Sequence, residues 1–210
     1  GRQLPYIDQV VLQIADGKII PLKTGAGEAD LQARGLHFNN YTFLKENEKT
    51  NGFGTRLWST VRGSQIALFP NLNAADEGWR AVLRDVRFRR ALSLAIDRNQ
   101  INQVIFFGLA REGNNTVLQE SPLFKSEYQT TWATLDVDRA NALLDDMGLT
   151  QRDDRGIRLM ADGRSLDIVV ETAGESTEET DVLALISDSW KQIGIGLFSK
   201  PKRLRVNIFG

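Results

Sequence analysis

The chain has 210 residues, enough for one large domain or two small ones with a proper core. Its 26 basic and 27 acidic residues leave a formal net charge of -1, which gives no field for nucleic acid or an anionic membrane. Cysteine is absent, excluding disulfides, thiol catalysis and thiolate metal sites together. No apolar run approaches the roughly 20 residues that a bilayer-crossing helix needs.

The chain opens at Gly1 rather than Met and shows no signal peptide, so it reads as a fragment with a cut edge. Residues 7–14, IDQVVLQI, are apolar and β-branched and predict a strand. Pro21 to Ala33 predicts a short helix interrupted by Gly25 and Gly27. The Gly25-Ala26-Gly27 triplet lacks the rest of a dinucleotide fingerprint, and a plain turn explains it better. Two strand-like stretches, Thr55 to Val61 and Ser64 to Leu72, flank Arg62-Gly63 and are compatible with a hairpin.

From residue 85 the pattern changes. Val86, Ala91, Leu92, Ala95 and Ile96 recur at helical spacing behind Asp85, a plausible N-cap. Asp97 is placed to cap a second helix that carries Ile101, Val104 and Ile105 toward the core and stops at Gly108. Residues 109–134 form a long irregular segment, and loops of that length in compact domains are often functional. Asp138 to Met147 predicts a helix with Gly148 as its stop, and Asp153 to Gly163 an exposed, charged hairpin. The last unit is the clearest. A strand over 165–172, a helix over 176–193 and a strand from Ile195 to Ser199 make a βαβ pattern with parallel neighbouring strands. The fold class is α/β, with a mixed sheet and flanking helices.

Chemistry-bearing residues are sparse. His37 is the single histidine and, in its Leu-His-Phe context, reads as a packed or surface residue. Asp76-Glu77 and Asp153-Asp154 read as solvated, and Asp136-Val-Asp138 as a helix cap, since the glycine and terminal glutamate of a calcium loop are missing. No cofactor or metal is called for, and an enzyme on such an α/β lobe would have little to work with. Arg84, Arg87, Arg89, Arg90 and Arg98 cluster on the helix pair over 84–107, which raises a DNA-binding regulator as the other alternative. The near-neutral chain and the neighbouring Asp85 and Asp97 argue instead for arginine stems lying over the core.

The string Leu83-Arg-Asp-Val-Arg-Phe-Arg-Arg-Ala-Leu-Ser-Leu-Ala-Ile-Asp-Arg98 resembles the signature of the family 5 extracellular solute-binding proteins, the dipeptide, oligopeptide and nickel-binding group. Leu4-Pro-Tyr-Ile-Asp8, Gly27-Glu-Ala-Asp30, the DRANALLDDMG run to Gly148 and Ile193-Gly-Ile195 follow the family in the same order. The resemblance implies a periplasmic-binding-protein-like lobe, incomplete relative to a two-lobe parent. It divides the chain into a first-lobe and crossover segment (1–74), a second α/β lobe (75–195) and a return segment (196–210). It also implies capture of a small solute by a monomer in the periplasm or lipid-anchored at the cell surface. Delivery to the membrane permease of an ABC transporter would follow, without catalysis and without nucleic acid.

Clefts in open α/β sheets form at the carboxyl ends of strands, which selects the turn from Thr172 to Asp181. Thr172, Gly174, Glu175, Ser176, Thr177, Thr180 and Asp181 are its candidate ligand-binding residues. Alternatively, the turn's acidic groups only complement the helix dipole, worth about 0.3–1 kcal/mol each. In dipeptide-binding relatives a basic residue stands near the start of this helix, where Thr180 and Asp181 stand here. That departure points toward a cationic, amine-bearing or opine-like ligand, or a sugar-like one, as alternatives to a peptide. The second candidate surface is the loop with Phe107, Arg111, Asn114 and Asn115, a mixture of apolar wall and orienting polar groups of the kind ligand pockets use.

Overall fold

The computed structural model of the protein describes residue 4 and residues 6–58, 62–173 and 177–201. Two compact units divide the chain, Gly1–Ser59 and Thr60–Gly210.

The first unit is built on two helices, α1 (Ile20–Gly25) and α2 (Tyr41–Asn51), with a 3-10 turn over Phe38–Asn40 leading into α2. Leu44 is the buried side chain of α2. The ring of Phe43 lies where a Cβ on Gly25 would sit, and Asn51 Nδ2 donates to the Gly25 carbonyl at 2.8 Å. Gly25 therefore serves helix packing, and the helix expected over 21–33 ends at that residue. His37 is exposed and its backbone N–H donates to Asn40 Oδ1 at 2.9 Å. The strand expected over 7–14 does not form. Its apolar residues Ile7, Val10, Val11, Leu12 and Ile14 are between 66% and 102% exposed, because no described segment pairs with it and a strand has no intrinsic partner for its backbone groups.

In the second unit the elements are α3 (Glu77–Arg84), α4 (Val86–Leu94), α5 (Arg98–Phe106), α6 (Ser126–Thr130), α7 (Val137–Asp145), β1 (Asp167–Thr172), α8 (Thr177–Lys191) and β2 (Gly196–Pro201). Aspartates start four of the helices. The side chains of Asp76, Asp85, Asp97 and Asp136 accept from backbone N–H groups of their first turns, satisfying donors that a helix start leaves without partners. Asp85 and Asp97 do what the sequence predicted, and Asp136 caps α7. Asp76 is exposed, as expected, and also caps α3, a helix not read from the sequence although Trp79, Val82 and Leu83 recur at helical spacing and pack on the core. Along α5, Ile101 and Ile105 pack on the core while Val104 is 56% exposed, contrary to its predicted direction. The expected hairpin over 55–72 is also absent: residues 55–58 and 62–72 carry no strand, and residues 59–61 lie outside the described residues.

β1 and β2 pair in parallel, Asp167 against Gly196 and Val169 against Phe198, with α8 as the crossover. This is the predicted βαβ unit. The core beside it is continuous, with Phe88, Leu144, Leu166, Ile193 and Ile195 fully buried and Trp190 2% exposed. The indole N–H of Trp190 donates to the Leu92 carbonyl at 3.0 Å and so joins α8 to α4. Gly194 has φ +73, and a Cβ there would strike the Arg152 guanidinium. The positive φ favours glycine at the turn into β2, whereas the arginine tip could move aside.

The segment 152–165 is the predicted hairpin, closed by antiparallel bridges between Arg152 and Arg158 and between Leu159 and Ser165. It is not uniformly exposed. Arg158 is 2% exposed. Its guanidinium donates to the Ile193 carbonyl at 2.9 Å, Asp145 Oδ1 at 2.5 Å, Asn141 Oδ1 at 2.8 Å and the Leu149 carbonyl. A buried fork with every arm satisfied is one of the few ways a charge is held inside a protein.

Candidate functional site

A cleft in the second unit has a volume of about 840 Å³. One wall is the segment 63–71, another the strand residues Ile168 to Glu171, and a third the loop residues 110–115 beyond α5. Its floor is apolar, made by Leu92, Val182, Ile186 and Trp190, each at most 7% exposed. A dry floor with polar groups at the rim is the ordinary make-up of a small-molecule site.

Three of the predicted residues, Arg111, Asn114 and Asn115, line this cleft. Arg111 is exposed, and its guanidinium has no hydrogen bond or ion pair among the described residues. Asn114 is engaged by the protein itself. Its Nδ2 donates to the Thr131 carbonyl at 2.6 Å, its backbone N–H to the Gln129 carbonyl at 2.8 Å, and its Oδ1 accepts from Arg98 Nη2 at 3.2 Å. Phe107 is not on the wall. It caps α5 in the left-handed region (φ 52) and is 49% exposed, while its neighbour Phe106 lines the cleft.

The strand-to-helix turn is only partly described. Thr172 is half-buried at the end of β1, directly after the cleft-lining Glu171. Thr177, Thr180 and Asp181 are exposed on the opening turns of α8, and Asp181 has no side-chain partner among the described residues. Gly174, Glu175 and Ser176 lie outside the described residues.

Sequence reasoning missed the residues that hold the loop. Asn102 is 8% exposed on α5; its Nδ2 donates to the Ala110 carbonyl and its Oδ1 accepts from the Ala110 N–H, both at 3.0 Å. Its amide also donates to Glu112 Oε1, which accepts from Asn99 as well. Nothing local marks Asn102 out, because α5 also carries Asn99, Gln100 and Gln103; only its burial, which obliges a polar side chain to find partners, distinguishes it.

The five arginines of the helix pair also have partners within the protein. Arg84 donates to the Leu72 carbonyl, Arg87 pairs with Asp85 at 2.6 Å, and Arg89 donates to the Leu83 and Arg84 carbonyls. Arg90 stacks on Trp132 at 4.5 Å, with Arg139 at 4.1 Å from the same ring centroid. Burial pulls the Arg98 guanidinium down from its ordinary value, partly countered by the charge of Glu112. Arg98 stays charged nonetheless, as a guanidinium does in proteins. Among the described residues no group of three or more His, Asp or Glu is placed to hold a metal ion, and no helix is long and apolar enough to cross a membrane.

The second unit thus joins a parallel βαβ to a cleft with an apolar floor, and comparison with known proteins gives the family of the chain. The model of the bacterial extracellular solute-binding proteins, family 5 Middle, matches residues 1–201, and the chain belongs to that family. Among solved structures it is 36% identical to an oligopeptide-binding protein OppA, covering 90% of this chain and 30% of that one with a TM-score of 0.68. A periplasmic oligopeptide-binding protein from Thermotoga maritima shares the fold at 18% identity, 90% and 35% coverage and a TM-score of 0.59. An oligopeptide-binding protein from Thermus thermophilus, solved with a pentapeptide, shares it at 23% identity over 59% and 21% of the chains with a TM-score of 0.52. The chain thus spans under a third of the OppA structure it matches. No curated protein matches.

Proposed function

We propose that the chain is the cargo-gripping part of a binding protein that captures a short peptide by two-lobe closure and hands it to an ABC-transporter permease. The carrying observation is the 840 Å³ cleft with a buried apolar floor, lined also by Asn115 and by Arg111, whose guanidinium has no partner among the described residues. A floor of Leu, Val, Ile and Trp takes apolar side chains of varied shape, and a free guanidinium is the natural fork for a carboxylate. The 36% identical relative is an oligopeptide-binding protein, which supports the peptide class. Thr172, Thr177 and Asp181 form the second part of the proposed site, and the exposed Asp181 carboxylate, without a side-chain partner among the described residues, suits an amino group.

The protein does this without catalysis, as a monomer, in the periplasm or at the cell surface. The lobe division 1–74, 75–195 and 196–210 belongs to the same reading.

The test is a thermal-shift and calorimetric screen of this chain and of the whole gene product with peptides of two to six residues, polyamines, opines and sugars. A ligand at 100 times its Kd is expected to stabilise the folded form by about 2.7 kcal/mol. Arg111→Ala is expected to weaken peptide binding about tenfold or more, the loss of one charge-assisted pair. Polyamines or sugars as the sole binders would replace the peptide reading, and unchanged peptide affinity in the Arg111 variant would remove this cleft as the site.

A further inference from the structure

The loop after α5 holds its shape although residues 109–125 contain no regular element. Its two ends meet at one side chain. Arg98 Nη1 donates to the Ser93 carbonyl at 2.9 Å and to the Ala133 carbonyl at 2.8 Å. Its Nη2 donates to Ser93 Oγ at 3.0 Å and Asn114 Oδ1 at 3.2 Å, and its Nε to the Gly113 carbonyl at 3.4 Å. One planar fork therefore touches the end of α4, the departing limb of the loop (Gly113, Asn114) and the returning one (Ala133). Asn114 completes the closure by donating to the Thr131 carbonyl on the returning side. Ser93 adds a third tie, its Oγ donating to the Trp132 carbonyl at 2.8 Å, which fixes Trp132 in a left-handed backbone conformation (φ 62).

We infer that Arg98, acting through Asn114, is the positioning residue that closes the 109–134 loop and thereby sets Arg111 and Asn115 on the cleft wall. The inference rests on the cleft being the cargo site, as proposed above. The chemistry requires arginine. Five acceptors lie around one fork, and a lysine ammonium has three donors on a flexible stem and no plane. Without the fork, the Gly113 and Ala133 carbonyls and Asn114 Oδ1 lose a charged donor in a partly buried place, and the loop ends are free to separate. The cleft floor would stay intact, since Leu92, Ile186 and Trp190 are packed by the core and not by the loop.

Amide hydrogen exchange on this chain, with no cargo present, tests the clamp. In Arg98→Met the amide of Asn114 is expected to exchange about tenfold faster or more, while those of Leu166 and Ile195, in the βαβ core, stay within about threefold. Arg98→Lys is expected to fall between the two. Equal acceleration everywhere would make Arg98 merely a core residue, no change at Asn114 would mean it does not hold the loop, and full restoration by lysine would mean charge alone suffices. Each of these overturns the inference. If Arg98→Met does not fold, Asn114→Ala cuts the same tie and carries the same expectation at the Thr131 and Ala133 amides.

In the whole protein, the losses of peptide affinity from Arg98→Met and Arg111→Ala are expected to be non-additive, because both remove the same contact; additive losses would overturn the positioning role. A loop that loosens in Arg98→Met beside unchanged peptide binding in Arg111→Ala would instead leave the clamp in place and remove the cargo reading of the cleft.

Discussion

Residues 7–14 (IDQVVLQI) and 166–172 (LDIVVET) are nearly the same kind of sequence: β-branched, apolar, with one acidic residue near the start. Their fates differ. The second run forms β1, with Leu166 fully buried before it and Ile168 packed on the core. The first forms no strand, and its Ile14 is fully exposed. What separates them is what the chain supplies nearby. After β1 comes α8, whose stripe of Val182, Leu183, Ile186 and Trp190 is buried, and then β2 in register. The run over 7–14 is followed by α1 and α2, which pack with each other. β-propensity describes a fit to a pleated, half-buried surface, and without the surface it decides nothing.

The sharpest test compares equivalent truncations in the two runs. Leu166→Ala removes a fully buried side chain and is expected to cost about 2–5 kcal/mol of unfolding free energy. Leu12→Ala, at a position 87% exposed, is expected to stay within about 0.5 kcal/mol of the parent. Urea unfolding followed by tryptophan fluorescence reads both. A large loss at Leu12 would mean that the 7–14 run is paired in solution, and the contrast would collapse.

A smaller effect is expected at Arg158, which sets the edge against which the βαβ unit packs. Arg158→Met keeps most of the stem but removes the guanidinium donor to the Ile193 and Leu149 carbonyls, while Asn141 Oδ1 keeps only the longer bond from Arg152 Nη2. Leaving such buried acceptors unmade costs about 1–3 kcal/mol. The loss is expected to show in the same urea titrations and, locally, as faster exchange of the Leu166 amide, which donates to the Arg158 carbonyl at 2.8 Å.

Arg158 also shows where the sequence stops being readable. The helix starts at Asp85 and Asp97 and the βαβ unit follow from local rules, because a cap and its helix, or a strand and its crossover, are neighbours in the chain. The family resemblance likewise rests on contiguous strings. Arg158 sits beside a run of charges, Arg152-Asp-Asp-Arg155, that reads as a solvated hairpin; its acceptors come from residues 141, 145, 149 and 193, none of them within the hairpin. The cleft divides in the same way. Arg111, Asn114 and Asn115 were legible as polar residues in a long loop, whereas Arg98 and Asn102, which hold that loop, were hidden inside helical patterns that made them look like surface or core. Arg98 and Asn102 line the cleft as well, and only the third dimension shows that their polar groups are spent on holding the loop.

The smallest expected effect concerns the ties that fasten the hairpin to its surroundings, and it is read with acid. Two hydrogen bonds from the Arg164 guanidinium, together with the N–H of Trp79, hold the Asp76 carboxyl at about 2, below its ordinary 3.8. Burial pushes Asp153 upward, but bonds from the Ser165 hydroxyl, the Ile157 N–H and Arg155 outweigh it and leave that carboxyl also at about 2. A carboxyl whose folded value lies below its unfolded one binds fewer protons when folded. Its contribution is therefore complete above the unfolded value near 3.9 and disappears as pH falls toward 2. The second unit is expected to lose stability progressively between about pH 4 and pH 2, with Asp76→Asn showing a shallower decline because one of the two carboxyls no longer titrates. Asp76 is exposed to solvent and Asp153 partly so, and added salt is therefore expected to flatten the slope further. Thermal unfolding at stepped pH and two salt concentrations measures this. A slope identical in parent and Asp76→Asn would mean that the tie between the hairpin and α3 is not closed in solution, leaving Arg158 as the hairpin's anchor to the βαβ core.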